Sequence, residues 1–506
     1  MSHVAGRTTQ AARPTRPADG FSHQTSGRLS GRRPLEFVVL LTVAAAALRF
    51  GTLDVQSVWL DESATLVLVR RGFSGMLSHL AQSESSPPLY YVLVWAWTKV
   101  FGTSVLGFRS FSALVGTITV PVMYGAGSQI SKRIGLWAAA LAVVNPAMYY
   151  YSQEARAYGL LILFCAVALI FWQAALRDES RRSIYLWALA SILALVTHYF
   201  AAFMFAPEAI LLARRLGIRR VRVPIGLVVL TGIALLPLAA SEHTAGKADW
   251  IEHTSLISRL AEAPKQYLVG LSGPISIVTA LIAGLLALGA LALLLWRARP
   301  SERASAIDLV WVGAGALALP ILLSATHAID VFDGRNVIAT WSVYALLVAA
   351  GAGIAGASRI GPALGAALCA LSLAVVVAVN LIPGYQRDDW RGAAGALADT
   401  RGSVVVTPAE GLLPLSIYAP DLRKERSALV NTRELQFVAL RTLRTGRSPL
   451  APVVPTVPPP GYRLAELKRS ETYAVARFIA TRARSTSVRS LQLLGAGSGA
   501  EVLVRE

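Results

Sequence analysis

The sequence predicts an all-α polytopic membrane protein of about 11–13 transmembrane helices with a small C-terminal α/β extracytoplasmic domain. Three observations carry that expectation. First, 54% of the 506 residues are hydrophobic and 15% charged, with a mean hydropathy of +0.53, whereas soluble domains carry roughly 25% charged residues. Second, apolar runs of about 17–25 residues recur along most of the chain, each long enough to cross roughly 30 Å of hydrocarbon as a helix. Third, after Pro383 the composition becomes mixed, with short β-branched runs such as Ser403–Thr407 and Tyr473–Ile479 that read as strands.

Residues 1–33 are rich in Arg, Ser, Thr, Gly and Pro and read as a disordered cytoplasmic tail. They show no signal-peptide cleavage pattern, so the first apolar run is expected to stay as a helix. Spans fall near 35–53, 109–127, 134–150, 157–176, 183–198, 200–213, 222–240, 273–296, 308–326, 337–357 and 362–382. Arginines and lysines at 132–133, 177–182, 214–222, 297–303 and 359 mark alternate short loops as cytoplasmic. The loops at 54–88, 151–158, 198–200, 242–272 and 327–336, and everything after 383, are then outside. Residues 88–101 are apolar but short, and a full crossing there would invert every later loop, so the segment reads as re-entrant or tilted. The resulting organisation is a membrane module over 34–384 and an outer α/β domain over 385–506, in which Pro452–Pro460 is a linker or loop.

The net charge of +19 lies mainly in the tail, the inner loops and the C-terminal region, which positive-inside bias largely explains without nucleic acid. Cys165 and Cys369 sit inside apolar runs and read as small buried side chains. No P-loop, dinucleotide fingerprint, paired CxxC or HExxH is present, which disfavours a nucleotide-driven pump. No cofactor is implied with certainty. A divalent metal stays open, because no ligand set stands out.

The polar residues that remain collect in the outer loops. Asp61 and Glu62 are adjacent carboxylates beyond the first span, and Asp61 fits a base that takes a proton from an attacking hydroxyl; an acidic pair there also serves to cap a helix. Glu84 precedes a double proline and suits a second acid or a substrate hydroxyl ligand, or a solvated loop. Glu154, Arg156 and Tyr158 crowd the head of a span, where carboxylate, guanidinium and ring suit a sugar phosphate. Tyr149 and Tyr150 read as an interfacial aromatic belt. His198 and Tyr199 lie at an outer turn, and Arg335 lies at the lip of a later span, where an arginine is costly unless paired or functional. Asp389 and Arg391 flank Trp390 where the outer domain begins and are candidates for substrate binding, with interfacial anchoring as the alternative. His243, Asp249, Trp250 and His253 are spaced too irregularly for a metal and are assigned to recognition or gating.

Taken in order, WLDE at 59–62, ESSPPLYY at 84–91, YSQEARAYGLL at 151–161, THYF at 197–200, GRN at 334–336 and DDWRGAA at 388–394 resemble bacterial glycosyltransferases of the C superfamily. Within it the likeness is to family 39 and mannosyltransferase-like proteins that use polyprenyl-phosphate sugars. The resemblance implies inverting transfer from a polyprenyl-phosphate-linked sugar, mannose or a pentose, to a lipid, protein or glycan hydroxyl of the cell envelope, on the outer face of the plasma membrane. It implies Asp61 as general base and Glu62 as its or the acceptor's orienting group. It also implies Glu154 and Arg156 in the sugar-phosphate cavity, and His198, Tyr199 and Arg335 at the donor phosphate. The other class that fits the composition is a lipid or glycan transporter or flippase, whose ionisable residues would lie near the midplane of two matching halves.

Overall fold

The computed structural model describes residues 29–244, 251, 254–441, 452–495 and 499–505. The tail at 1–28 and Asp249, Trp250 and His253 lie outside the described residues. The chain is a polytopic helical membrane protein with a C-terminal α/β module, as the hydropathy predicts. Six helices among the described residues are long and apolar enough to cross a membrane.

A helix stands over each of the apolar runs. The chain opens with α1 (Leu29–Phe50), followed by α2 (Leu60–Val69), α3 (Phe73–Ser83) and α4 (Leu89–Phe101). Next come α5 (Val105–Ser128), α6 (Lys132–Val144), α7 (Pro146–Ser152), α8 (Tyr158–Asp178), α9 (Arg181–Leu195) and α10 (Ala201–Leu216). The membrane module closes with α11 (Ile218–Thr244), α12 (Leu256–Val269), α13 (Ser276–Arg297), α14 (Pro300–Ala325), α15 (Trp341–Gly353) and α16 (Ile360–Leu381). At about 1.5 Å per residue α4 reaches about 20 Å, short of a bilayer, in keeping with a segment that does not cross.

Local chemistry sets several boundaries. Ser104 and Ser131 cap α5 and α6 through their hydroxyls. The run at 134–150 is broken because Pro146 has no N–H to give and the Asn145 side chain accepts from Ala147 and Met148 N–H, 3.1 Å each, starting α7. Glycine lets helix backbones touch: a Cβ on Gly127 would lie 2.8 Å from Gly135 Cα, so α5 and α6 meet at that pair. The same holds for Gly351 of α15 against the Ala290 carbonyl of α13.

α15 is buried along its length and packs against α5, α6, α8, α13, α14 and α16. Because it faces protein and not lipid, it need not span as a full helix, and its outer end is a 3-10 turn at Ile338–Thr340. Two of the expected outer loops contain helices. Residues 54–88 fold into α2 and α3, and 242–272 contain α12, because amphipathic turns have low average hydropathy and hide in a span-based reading.

The C-terminal module comprises α17 (Trp390–Ala396), β1 (Ser403–Thr407), α18 (Leu412–Tyr418), β2 (Leu422–Lys424), β3 (Leu429–Leu440), β4 (Arg463–Arg469), β5 (Tyr473–Ser487), α19 (Val488–Leu494) and β6 (Glu501–Arg505). Its sheet runs β2-β6-β1-β3-β5-β4, with β1 and β3 parallel and the other pairs antiparallel. Alternation along β1 sends Val404 and Val406 to a core with Trp390 and Leu415, and Val405 to another with Phe437 and Phe478. The module is tied to the loop after α1: Asp389 caps α17 at Gly392 N and accepts from Ser57 and Thr472, while Arg391 pairs with Asp54 at 2.6 Å. Tyr418 Oη accepts from Val58 N at 2.7 Å.

Candidate active site

The site forms where α2, α5, the α7–α8 turn, the loop before α15 and the segment after α16 converge. Arg109 organises it. Emerging buried from α5, its guanidinium donates to the carbonyls of Leu53 (2.9 Å), Gln56 (2.7 Å) and Ser57 (2.8 Å), which folds the loop after α1 around it. Its remaining donors take both oxygens of Glu62, at 2.8 and 2.6 Å.

Glu62 is fully buried and also accepts from Ala155 N (3.0 Å) and Arg387 (3.2 Å). Burial alone raises a carboxyl pKa, but the two guanidiniums and the hydrogen bonds outweigh it and hold Glu62 below its ordinary value. Both of its oxygens are engaged and it has no accessible surface. Its geometry is that of a strut between α2, α5 and the segment after α16.

Asp61 is one residue earlier and therefore turned about 100° around α2. It is partly exposed, and its Oδ2 accepts from Arg335 Nη1 at 3.2 Å. Arg335 is held in turn by the loop at 330–336. Asp333 accepts from its backbone N–H at 3.0 Å and lies 3.6 Å from its Nε. Arg259 of α12 clamps Asp330 through both carboxylate oxygens at 2.7 Å and donates to the Phe332 carbonyl at 2.5 Å. Gly334 backs onto Gln266 so closely that a Cβ would meet its amide oxygen.

Behind Asp61 lies a second buried pair, Arg156 with Glu84. Glu84 also accepts from Thr65 (2.8 Å) and Tyr91 (2.9 Å), and Thr65 accepts from Arg156 (3.2 Å). Glu84 thus positions Arg156, leaving its own oxygens committed.

Glu154 differs from the other acids. It is 1% exposed, and its Oε2 is buried with no hydrogen-bond partner. Burial, opposed by Arg387 and aided by the charges of Glu62 and Asp61, pushes its pKa up to about 7. Tyr158 stacks near His198, with ring centroids 5.4 Å apart, and Phe200 flanks the imidazole at 5.1 Å. His198 Nδ1 accepts weakly from Phe200 N at 3.4 Å, which leaves the proton on Nε2. Burial, with Arg156 nearby, drops its pKa to about 3, so the ring is neutral.

Asp61, Glu154, Arg156, Tyr158, His198 and Arg335 come together, with Glu62 and Glu84 directly behind them. Tyr199 does not join: it turns to Glu242 of α11, and burial and that carboxylate raise its pKa. Asp389 and Arg391 do not join either, being engaged in the α17 cap and the Asp54 pair. The belt expected at Tyr149 and Tyr150 is corrected. Tyr149 is buried, its Oη within 2.8 Å of Thr52 Oγ1 and 2.7 Å of Asn380 Oδ1, and Tyr150 lies under the Arg387 guanidinium at 4.1 Å. The α7 break folds these rings inward, away from the interface.

Sequence reasoning missed Arg109 and, within the candidate segment 386–391, did not single out Arg387 as a site residue. A lone arginine inside an apolar run is a signal that could have found Arg109. Arg387, which donates to the Tyr150 (3.1 Å) and Gln153 (3.4 Å) carbonyls as well as to Glu62, lies directly before the DDWR run. Among the described residues no three His, Cys, Asp or Glu side chains gather as metal ligands would.

Residues 85–241 match the family described as dolichyl-phosphate-mannose-protein mannosyltransferase. That match takes in less than half of the chain. The matched segment contains Arg109, Glu154, Arg156, Tyr158 and His198, while Asp61, Arg335 and Arg387 reach the same site from outside it. Among solved structures the chain is similar to ArnT from Cupriavidus metallidurans in the apo state, at 14% identity over 77% of this chain and 85% of that one, with a TM-score of 0.46. It is similar to the same protein bound to undecaprenyl phosphate, at 13% identity over 87% and 98%, with a TM-score of 0.44. The oligosaccharyltransferase of Archaeoglobus fulgidus, tethered with an acceptor peptide, follows at 12% identity over 76% and 59%, with a TM-score of 0.42. No curated protein matches the chain.

Proposed function

We propose that this protein is an inverting glycosyltransferase that moves a sugar, mannose or a pentose, from a polyprenyl-phosphate donor to a hydroxyl acceptor of the cell envelope. The observation that carries the reading is the Asp61–Arg335 pair, a partly exposed carboxylate and guanidinium held by buried struts at the ends of membrane helices. A lipid-borne phosphate arrives at that depth from the bilayer, and the name of the matched family, which has a lipid-phosphate sugar in it, supports the same donor class.

In this reading the donor phosphate competes with Asp61 for Arg335. Arg335 moves its charge to the phosphate, and Asp61 is released as a base. The acceptor O–H gives its proton to Asp61 as its oxygen bonds to the anomeric carbon. The bond from that carbon to the phosphate oxygen breaks, and polyprenyl phosphate leaves with its new charge against Arg335. Glu154 and neutral His198 contact sugar or phosphate oxygens, while Glu62 and Glu84 act through Arg109, Arg387 and Arg156. The tail before residue 34 is cytoplasmic and residues 385–506 stand outside the cell.

Membranes containing wild type or Asp61→Asn, supplied with polyprenyl-phosphate sugars and an envelope extract, test the reading by release of polyprenyl phosphate and labelling of acceptor. Wild-type transfer with a loss of at least about a hundredfold in the variant is expected, as for a general base. Full activity in Asp61→Asn removes the base from position 61. No transfer by wild type from any donor favours the flippase reading.

A further inference from the structure

At the other end of the module a groove of about 170 Å³ opens between the first turns of α9 and α11. Arg181, Arg219, Arg220 and Arg222 line it. Its distance from the Asp61 site follows from α8, whose 21 residues run from Tyr158 in the site to Asp178 beside the groove, about 31 Å at 1.5 Å per residue. The groove therefore faces the opposite boundary of the membrane.

Four like charges converge there from two helices that both begin without an acidic residue in the first turn. Only Arg220 has a carboxylate partner among the described residues, Glu179 at 2.8 Å. Guanidiniums brought together at helix N-termini repel one another and the helix dipoles, so the arrangement is stabilised by an anion. Charge bias toward one side of the membrane does not require convergence: Arg182, Arg303 and Arg359 belong to the same set of basic loops and do not line the groove. The groove also continues into an apolar wall. Tyr185, Leu189, Val223 and Leu227, one to two turns along the same helices, are exposed at 47%, 51%, 52% and 45%.

From this juxtaposition of an arginine-lined groove and a lipid-facing apolar wall we infer that the start of α9 and α11 is a binding site for the phosphate headgroup of an anionic phospholipid. The headgroup sits among Arg181, Arg219 and Arg222, and the acyl chains lie along Tyr185, Leu189, Val223 and Leu227. This inference is independent of the proposed transferase chemistry, since none of these residues touches that site.

The test compares wild type with a groove variant, Arg181→Gln with Arg219→Gln and Arg222→Gln, and with a charge-matched control, Arg182→Gln with Arg303→Gln and Arg359→Gln. Each is reconstituted in nanodiscs of phosphatidylcholine containing phosphatidylglycerol, extracted into detergent, and its retained phospholipid quantified by mass spectrometry. Wild type and control are expected to retain phosphatidylglycerol over phosphatidylcholine, and the groove variant to retain at least about tenfold less of it. Equal retention by the groove variant and wild type, or equal loss in both variants, overturns the site. Displacement of retained lipid by millimolar inorganic phosphate overturns the lipid as the ligand and assigns the groove to free phosphate. The single variant Arg222→Gln, expected to lose part of the retention, keeps the test decisive if the triple variant does not fold.

Discussion

Asp61 and Arg335 meet at 3.2 Å although 274 residues separate them in the chain. The pair is only partly shielded, each side chain being 26% exposed, and under the proposed function its members are the base and the cation of the transfer. What holds it in place is not the pair itself but the buried contacts behind each member.

Arg335→Gln should leave the fold intact and reduce transfer strongly. If the guanidinium carries leaving-phosphate charge, kcat falls by about 10² or more, as for loss of one preorganised oxyanion donor. A rise confined to the KM of the donor, with kcat unchanged, would restrict Arg335 to ground-state binding.

Glu62 and Arg109 form a fully buried pair, so removing one partner strands the other. Glu62→Ala or Arg109→Ala should destabilise the protein by about 3–5 kcal/mol, seen as loss of folded protein or a large drop in melting temperature in detergent. Activity lost with an unchanged melt would instead assign Glu62 a direct part in the chemistry.

Glu154 links stability to pH. Its pKa is raised to about 7 from 4.5, so the folded state binds this proton more tightly than the unfolded chain. The contribution of the neutral acid is fully present below the unfolded value and declines as pH rises between the two. The penalty reaches on the order of 3 kcal/mol above pH 7. Melting temperature should therefore fall from pH 5 to pH 8 more steeply in wild type than in Glu154→Gln. Parallel curves would show that this carboxyl does not titrate there.

The Arg259 clamp should matter to catalysis from a distance. Arg259→Ala frees Asp330 and Phe332, loosens the loop that presents Arg335, and is expected to lower kcat about tenfold or more. Arg259→Lys, which restores a charge but not the two-pronged contact, should recover part of it. An Arg259→Ala protein with wild-type kcat would show that the loop is held by its other contacts alone.

Most of the membrane architecture was legible because span length and apolarity are local properties. The runs at 109–127, 157–176 and 362–382 correspond to α5, α8 and α16 within a few residues, and Ser403–Thr407 is β1. The amphipathic α2, α3 and α12 were read as loops, since half of their surface is polar and no average over a window reveals them. In the site, the motifs located the acids but not their orientation. Asp61 and Glu62 are indistinguishable as neighbours in a string, and the rotation of α2 sends one to Arg335 and the other into Arg109. The belt reading of Tyr149 and Tyr150 failed because the break at Asn145–Pro146 redirects the chain.

Composition and periodicity by themselves determined that this chain lives in a bilayer, where its helices lie, and which polar residues share an end of the bundle, because transfer free energy sums residue by residue. Only the tertiary structure decided which charges are spent on one another. Arg109 and Arg387 neutralise Glu62, Arg156 takes Glu84, and Asp61 and Arg335 keep exposed surface, because pairing depends on approach within a few ångströms between segments far apart in the chain.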